Sequence, residues 1–143
     1  MNIRITKHTA VVAGALMIAL AAGQAGAAVD AAVSADALYK DGVAAYQQKQ
    51  YDQALTQFRS LNEKYPDSKH AVRGLEYTAQ CENRLGDPYA AFEAYQTIWD
   101  KHKDFAKLPT VTRNQMKIGN YLLSSQNYKK AIEVYQKILA NAP

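Results

Sequence analysis

The chain has 143 residues, 48% of them hydrophobic and 21% charged, with a formal net charge of +4. Its single Cys, Cys81, excludes an internal disulfide framework, so the fold must rest on its apolar core. The charge excludes a nucleic-acid footprint. Once the leader containing Arg4 and Lys7 is set aside, 15 basic residues face 13 acidic ones, spread along the chain apart from a knot at Lys101, His102, Lys103 and Lys107. Such a knot fits a solvated helix end, where cations are favoured.

Residues 1–28 read as a secretory signal. Arg4, Lys7 and His8 form a basic head, and no charge interrupts Thr9 to Ala22 before small residues take over. Two small-x-small frames offer cleavage, Ala25-Gly26-Ala27 before Ala28 and Gly26-Ala27-Ala28 before Val29. An uncleaved anchor is the competing reading, but the strongly apolar part is short for a span. The expectation is an exported, periplasmic protein. No Cys follows the small-residue run, so it is not a lipoprotein.

Residues 29–34 form a flexible, Ala-rich lead. Ser34 then caps a helix with an apolar stripe through Leu38, Gly42, Ala45 and Tyr46, and Gln50-Tyr51 marks a turn. A second helix runs through Ala54, Leu55, Phe58, Leu61 and Tyr65 until Pro66-Asp67-Ser68 ends it. The next helix starts near Ser68 and stops at Gly86-Asp87-Pro88, where Gly suits a helix exit, Asp an N-cap and Pro the first helical position. Its partner carries Ala91, Phe92, Tyr95, Ile98 and Trp99 and fades into the basic stretch before Leu108-Pro109. Thr110 or Thr112 is the expected cap of a fifth helix through Met116, Ile118, Gly119 and Leu122. Asn127, placed like Asp87, opens the sixth, Tyr128 to Ala140.

Three times an Ala precedes an aromatic by four residues and an aliphatic by seven: Ala54, Phe58, Leu61; Ala91, Tyr95, Ile98; Ala131, Tyr135, Ile138. The copies are 37 and then 40 residues apart, so each is one helix-turn-helix unit that buries its apolar face against its neighbours. Small residues at Gly42, Ala79 and Gly119 let the paired helices approach closely. With Tyr51 and Pro66 in the first copy and Tyr128 and Pro143 in the third, this pattern resembles the tetratricopeptide repeat. The middle copy departs from it at Ala79, Glu82, Pro88 and Lys103. The resemblance implies an all-α tetratricopeptide-repeat helical solenoid of three units, at 35–68, 72–105 and 112–143. The joint Tyr65-Pro66-Asp67-Ser68-Lys69-His70-Ala71, with Leu85-Gly86-Asp87 downstream, is similar to periplasmic repeats of the BamD-like and CpoB-like kinds. Ala90 to Gln96 and Ile118 to Leu123 lean toward the BamD-like kind.

That resemblance implies a scaffold that binds a protein or peptide partner in the cell envelope, in outer-membrane protein assembly or, alternatively, in association with Tol-Pal. Peripheral association with the outer membrane would follow from either role. The family's groove positions map onto Asp36, Tyr39, Val43, Tyr46 and Gln47 in the first unit. The second unit contributes Arg73, Glu76, Gln80, Asn83 and Arg84, and the third Arg113, Met116, Asn120, Leu123 and Ser124. Arg73 and Arg84 suit carboxylates of an extended peptide or partner helix.

No constellation for catalysis stands out. No His-x3-His or Cys-x2-Cys pair, nucleophile elbow or glycine-rich phosphate loop occurs, so no cofactor or metal is implied, and an envelope enzyme or peptidoglycan-binding module is the weaker class. One last expectation concerns the sixth helix. Ile132, Tyr135, Ile138 and Leu139 should leave it with an apolar surface for self-association or a partner, unless the sequence is a piece of a longer array.

Overall fold

The computed structural model describes residues 33–105 and 107–141; the expected signal at 1–28 and most of the lead lie outside the described residues. Six helices follow in order: α1 (Ala35–Gln47), α2 (Tyr51–Lys64), α3 (Ala71–Leu85), α4 (Pro88–Lys101), α5 (Leu108–Ser124) and α6 (Tyr128–Ala140). Among the described residues there is no strand, and no helix is long and apolar enough to cross a membrane. Each helix packs on the next in the chain, so α1–α2, α3–α4 and α5–α6 form three hairpins.

The tight turns inside the hairpins share one device. Lys49, Gly86 and Gln126 take the left-handed conformation, with φ of 61°, 89° and 63°. The amides that follow reach back five residues, Gln50 to Ala45, Asp87 to Glu82 and Asn127 to Leu122, and satisfy carbonyls the helix leaves open. Only the middle turn has Gly. Lys49 and Gln126 accept a strain of roughly 1 kcal/mol each, typical of an L-residue in this region. Asp87 caps α4 as expected, accepting from the Ala90 amide at 2.9 Å, and Pro88 begins the helix where no amide is needed. Asn127 makes no such side-chain bond; the backbone turn alone starts α6.

Two boundaries differ from expectation. The helix expected near Ser68 starts at Ala71, because the Ser68 amide turns back to the Tyr65 carbonyl. α5 starts at Leu108, before either Thr. Pro109 sits in its first turn, and the Thr112 hydroxyl donates to the Leu108 carbonyl instead of capping.

The triplets of the first two copies are core, as is Ala131, whereas Tyr135 and Ile138 are only partly buried against it. Ala54, Phe58, Leu61, Ala91, Ile98 and Ala131 are fully buried or nearly so, and each large apolar side chain of this kind contributes about 1.5–3 kcal/mol. Inside the outer hairpins the small residue faces the aromatic one. A Cβ on Gly42 would sit 2.7 Å from the Phe58 ring, and one on Gly119 would sit 2.8 Å from the Tyr135 ring. Only Gly permits that approach. One apolar cluster joins α1, α2 and α3, and a second joins α3 through α6.

Candidate functional site

The helices meet at two joints between hairpins, and the first is closed by aromatic packing. Tyr77 of α3 stacks on Phe58 at 4.8 Å and meets Tyr46 and Tyr39 edge-on at 5.2 and 6.2 Å. Tyr39 also stacks on His70 at 4.3 Å. α3 comes this close because residue 74 is Gly: a Cβ there would lie 2.9 Å from Leu61 Cδ2. Buried Glu82 is paired with Arg59 across the joint, which offsets the cost of burying its charge.

Shifting by the repeat spacing shows how the second joint departs. Phe58 becomes Tyr95, and Tyr39, Val43 and Tyr46 become Glu76, Gln80 and Asn83. Gly74 becomes Asn114, and Tyr77 becomes Lys117. A side chain now stands where the close approach was, and a cation stands where the covering ring was. α4 and α5 accordingly share less surface than α2 and α3. Where the joint does close, Val111 and Ile118 of α5 pack into the apolar cluster with Phe92 and Ile98, and polar groups are buried beside them. Fully buried Gln115 donates to Gln96 Oε1 at 3.2 Å, and that oxygen also accepts from Asn141 at 3.1 Å.

The looser joint opens a cleft of about 540 Å³. α3 supplies Gln80, Asn83 and Arg84, α4 Tyr95, and α5 Asn114, Lys117, Ile118 and Tyr121, with Tyr46, Gly86 and Pro88 at its edge. The Tyr46 hydroxyl donates to Gln80 at 3.0 Å, and Asn114 donates to the Tyr95 hydroxyl at 3.2 Å. Burial pushes the Tyr95 phenol above its ordinary value, so it stays a neutral donor. The lining holds two cations, several amides and hydroxyls, and no carboxylate.

Four of the residues expected in the groove converge here: Tyr46, Gln80, Asn83 and Arg84. The others lie elsewhere. Tyr39 and Val43 are half-buried in the first joint, and Gln47 is exposed at the end of α1. Asp36 holds His70 at 2.6 Å and Lys69 at 3.1 Å, and its carboxyl falls below the ordinary value chiefly through the His70 bond, with Lys69 adding to it. Arg73 is paired with Glu76 at 2.5 Å, so it is no spare cation. Arg113, Met116, Asn120, Leu123 and Ser124 are exposed on α5; Asn120 accepts from the Tyr135 hydroxyl at 2.6 Å, and Ser124 donates to the Tyr121 carbonyl at 2.8 Å.

Sequence reasoning missed Tyr95, Asn114, Lys117 and Tyr121 as a group. The signal was present in the register, as the replacement of Gly74 and Tyr77 by Asn114 and Lys117 one repeat later. Among the described residues no cluster of His, Cys, Asp or Glu could hold a metal ion. Cys81 is buried in the first joint, and burial pushes its thiol up to about 11.

The tetratricopeptide repeat family model matches residues 36–68 and 113–143. The fold is a tetratricopeptide-repeat solenoid. The matched stretches are the first and third hairpins; the tetratricopeptide pattern is weakest in the middle one, whose α3 and α4 supply half of the cleft. Tetratricopeptide repeats are protein-interaction scaffolds, and this chain has their architecture. No curated protein matches the sequence.

Proposed function

We propose that this chain is a non-enzymatic adaptor of the cell envelope that holds an acidic, extended segment of a partner protein in the cleft of the second joint. The observation that carries this reading is a lining with Arg84 and Lys117 and no carboxylate. Guanidinium and ammonium groups make charge-assisted bonds to carboxylates, while Asn83, Asn114 and Gln80 can pair with a peptide backbone. No His, Cys, Ser or Thr lines the cleft to act as base or nucleophile, which favours binding over catalysis. Envelope location rests on the signal pattern of residues 1–28. Outer-membrane protein assembly is the process we favour, on the BamD-like character of Ala90 to Gln96 and Ile118 to Leu123.

Two measurements test this. A labelled acidic peptide should bind the purified chain, and the double variant Arg84→Gln with Lys117→Gln should weaken it by about tenfold or more, as expected for loss of charged hydrogen bonds. Equal binding of a neutral peptide, or indifference to the double variant, would refute the cleft assignment. Photo-crosslinking in cells from position 121 should recover a component of outer-membrane assembly; a Tol-Pal component would move the proposal to that system.

A further inference from the structure

The stripe of α3 that seals the first joint is Gly74, Tyr77 and Cys81. Gly74 abuts Leu61, Tyr77 stacks on Phe58, and Cys81 is fully buried in the cluster around that ring. A shift of 40 residues, the separation of Ala91 and Ala131, carries this stripe to Asn114, Lys117 and Tyr121 of α5, and all three line the cleft. The contrast is largest at its end: Cys81 is 0% exposed, whereas Tyr121 at the same position is 59% exposed. The first joint uses the stripe for packing, and the second leaves an amide, a cation and a phenol ring open along one face of a helix.

We propose, resting on the binding of an acidic segment proposed above, that the cleft recognises a two-part motif: an acidic residue held between Lys117 and Arg84, and an apolar or aromatic residue, separated from it by a single residue, laid on the Tyr121 ring. Spacing sets the motif. Lys117 and Tyr121 are four residues apart on one helix, a rise of about 6 Å. In an extended segment, side chains i and i+2 share a face and stand about 6.6 Å apart. A segment laid along α5 that meets Lys117 with one side chain therefore meets Tyr121 with the next on that face. Chemistry sets the residue types. In the first joint the positions of Asn83 and Lys117 are held by Tyr46 and Tyr77, which meet edge-on at 5.2 Å, so Lys117 lies opposite the end of α3 that carries Arg84. One turn on, Tyr121 shares the lining with Ile118 and Pro88, which have no polar side-chain group. An open ring beside such neighbours is an anchor point for an apolar side chain. A helix about 10–12 Å across would fill the 540 Å³ cleft with little more than one turn, so the extended form fits it better.

Labelled peptides of one composition, titrated against the full chain, test the motif. Each carries one Glu and one Phe in a Gly-Ser background, acetylated and amidated so that Glu is the only carboxylate. The two residues are adjacent or separated by one, two or three others, in both orders. Fluorescence anisotropy should show an isomer with one intervening residue binding at least about fivefold more tightly than the rest. That advantage should disappear in Tyr121→Ser, a substitution at an exposed position that leaves the core intact, and Arg84→Gln with Lys117→Gln should weaken every isomer. Equal affinity of all isomers, with the loss in the double variant retained, would overturn the motif while leaving the acidic segment in place. A preference for three intervening residues would overturn it in favour of a helix, and a preference unchanged in Tyr121→Ser would remove that ring from it. Failure of every isomer to bind a chain that does bind the acidic peptide would also overturn the motif; failure of both would refute the acidic segment itself.

Discussion

The two joints use the same backbone plan and reach opposite ends. At the first, Gly74 and Tyr77 let α3 settle onto Phe58, and the space closes over rings. At the second, Asn114 meets the Tyr95 hydroxyl through a polar bond, Lys117 stands where the covering ring stood, and the space beside them is a polar cleft. The difference teaches where function resides in a stack of near-identical units. Residues that hold a hairpin together must repeat, whereas a binding site needs a joint that fails to close.

The comparison can be broken most forcefully at the ring pairs. Phe58→Ala should cost about 3–5 kcal/mol of unfolding free energy, the range for deleting a fully buried Phe, whereas Tyr95→Phe should cost only about 0.5–1.5 kcal/mol for the Asn114 bond it loses. Urea denaturation of both variants checks this; a loss below about 1 kcal/mol for Phe58→Ala would contradict closure of the first joint over that ring. Gly74→Ala should destabilise by about 1 kcal/mol, because overpacking against Leu61 at 2.9 Å outweighs the gain in helix propensity.

The same joint should protect its thiol. Cys81 is buried, with its thiol raised to about 11, so a disulfide reagent at about pH 8 should leave the native chain unmodified and label it fully in denaturant. Rapid labelling of the native chain would show that the first joint opens readily. The smallest effect belongs to Asp36. Its carboxyl is held below the ordinary 3.8 by His70 and Lys69, so its contribution is present above that value and is lost as pH falls through the lowered one. Asp36→Asn should lower the urea midpoint slightly near neutral pH, and the gap should vanish in acid below the carboxyl's lowered value.

What could be read from the sequence followed from periodicity and local chemistry. The Ala, aromatic, aliphatic triplets and the Gly86-Asp87-Pro88 turn each impose their structure without help from distant residues. The left-handed residues Lys49 and Gln126 were hidden because neither is Gly; each closes the tight turn between the two helices of its own hairpin. The site was only half legible. Tyr39 and Val43 lie on the helix face that also meets the next hairpin, so whether such a position is groove or joint depends on what α3 carries opposite. Arg84 needed no such knowledge, but its partner Lys117 is disclosed only by laying α5 over α3.

The most direct test grafts the first joint onto the second. In the double variant Asn114→Gly with Lys117→Tyr, α5 should settle onto Tyr95, the cleft should close, and binding of an acidic peptide should be abolished while the helical content is unchanged. Retained binding of that peptide by the grafted chain would contradict the claim that these two positions open the site.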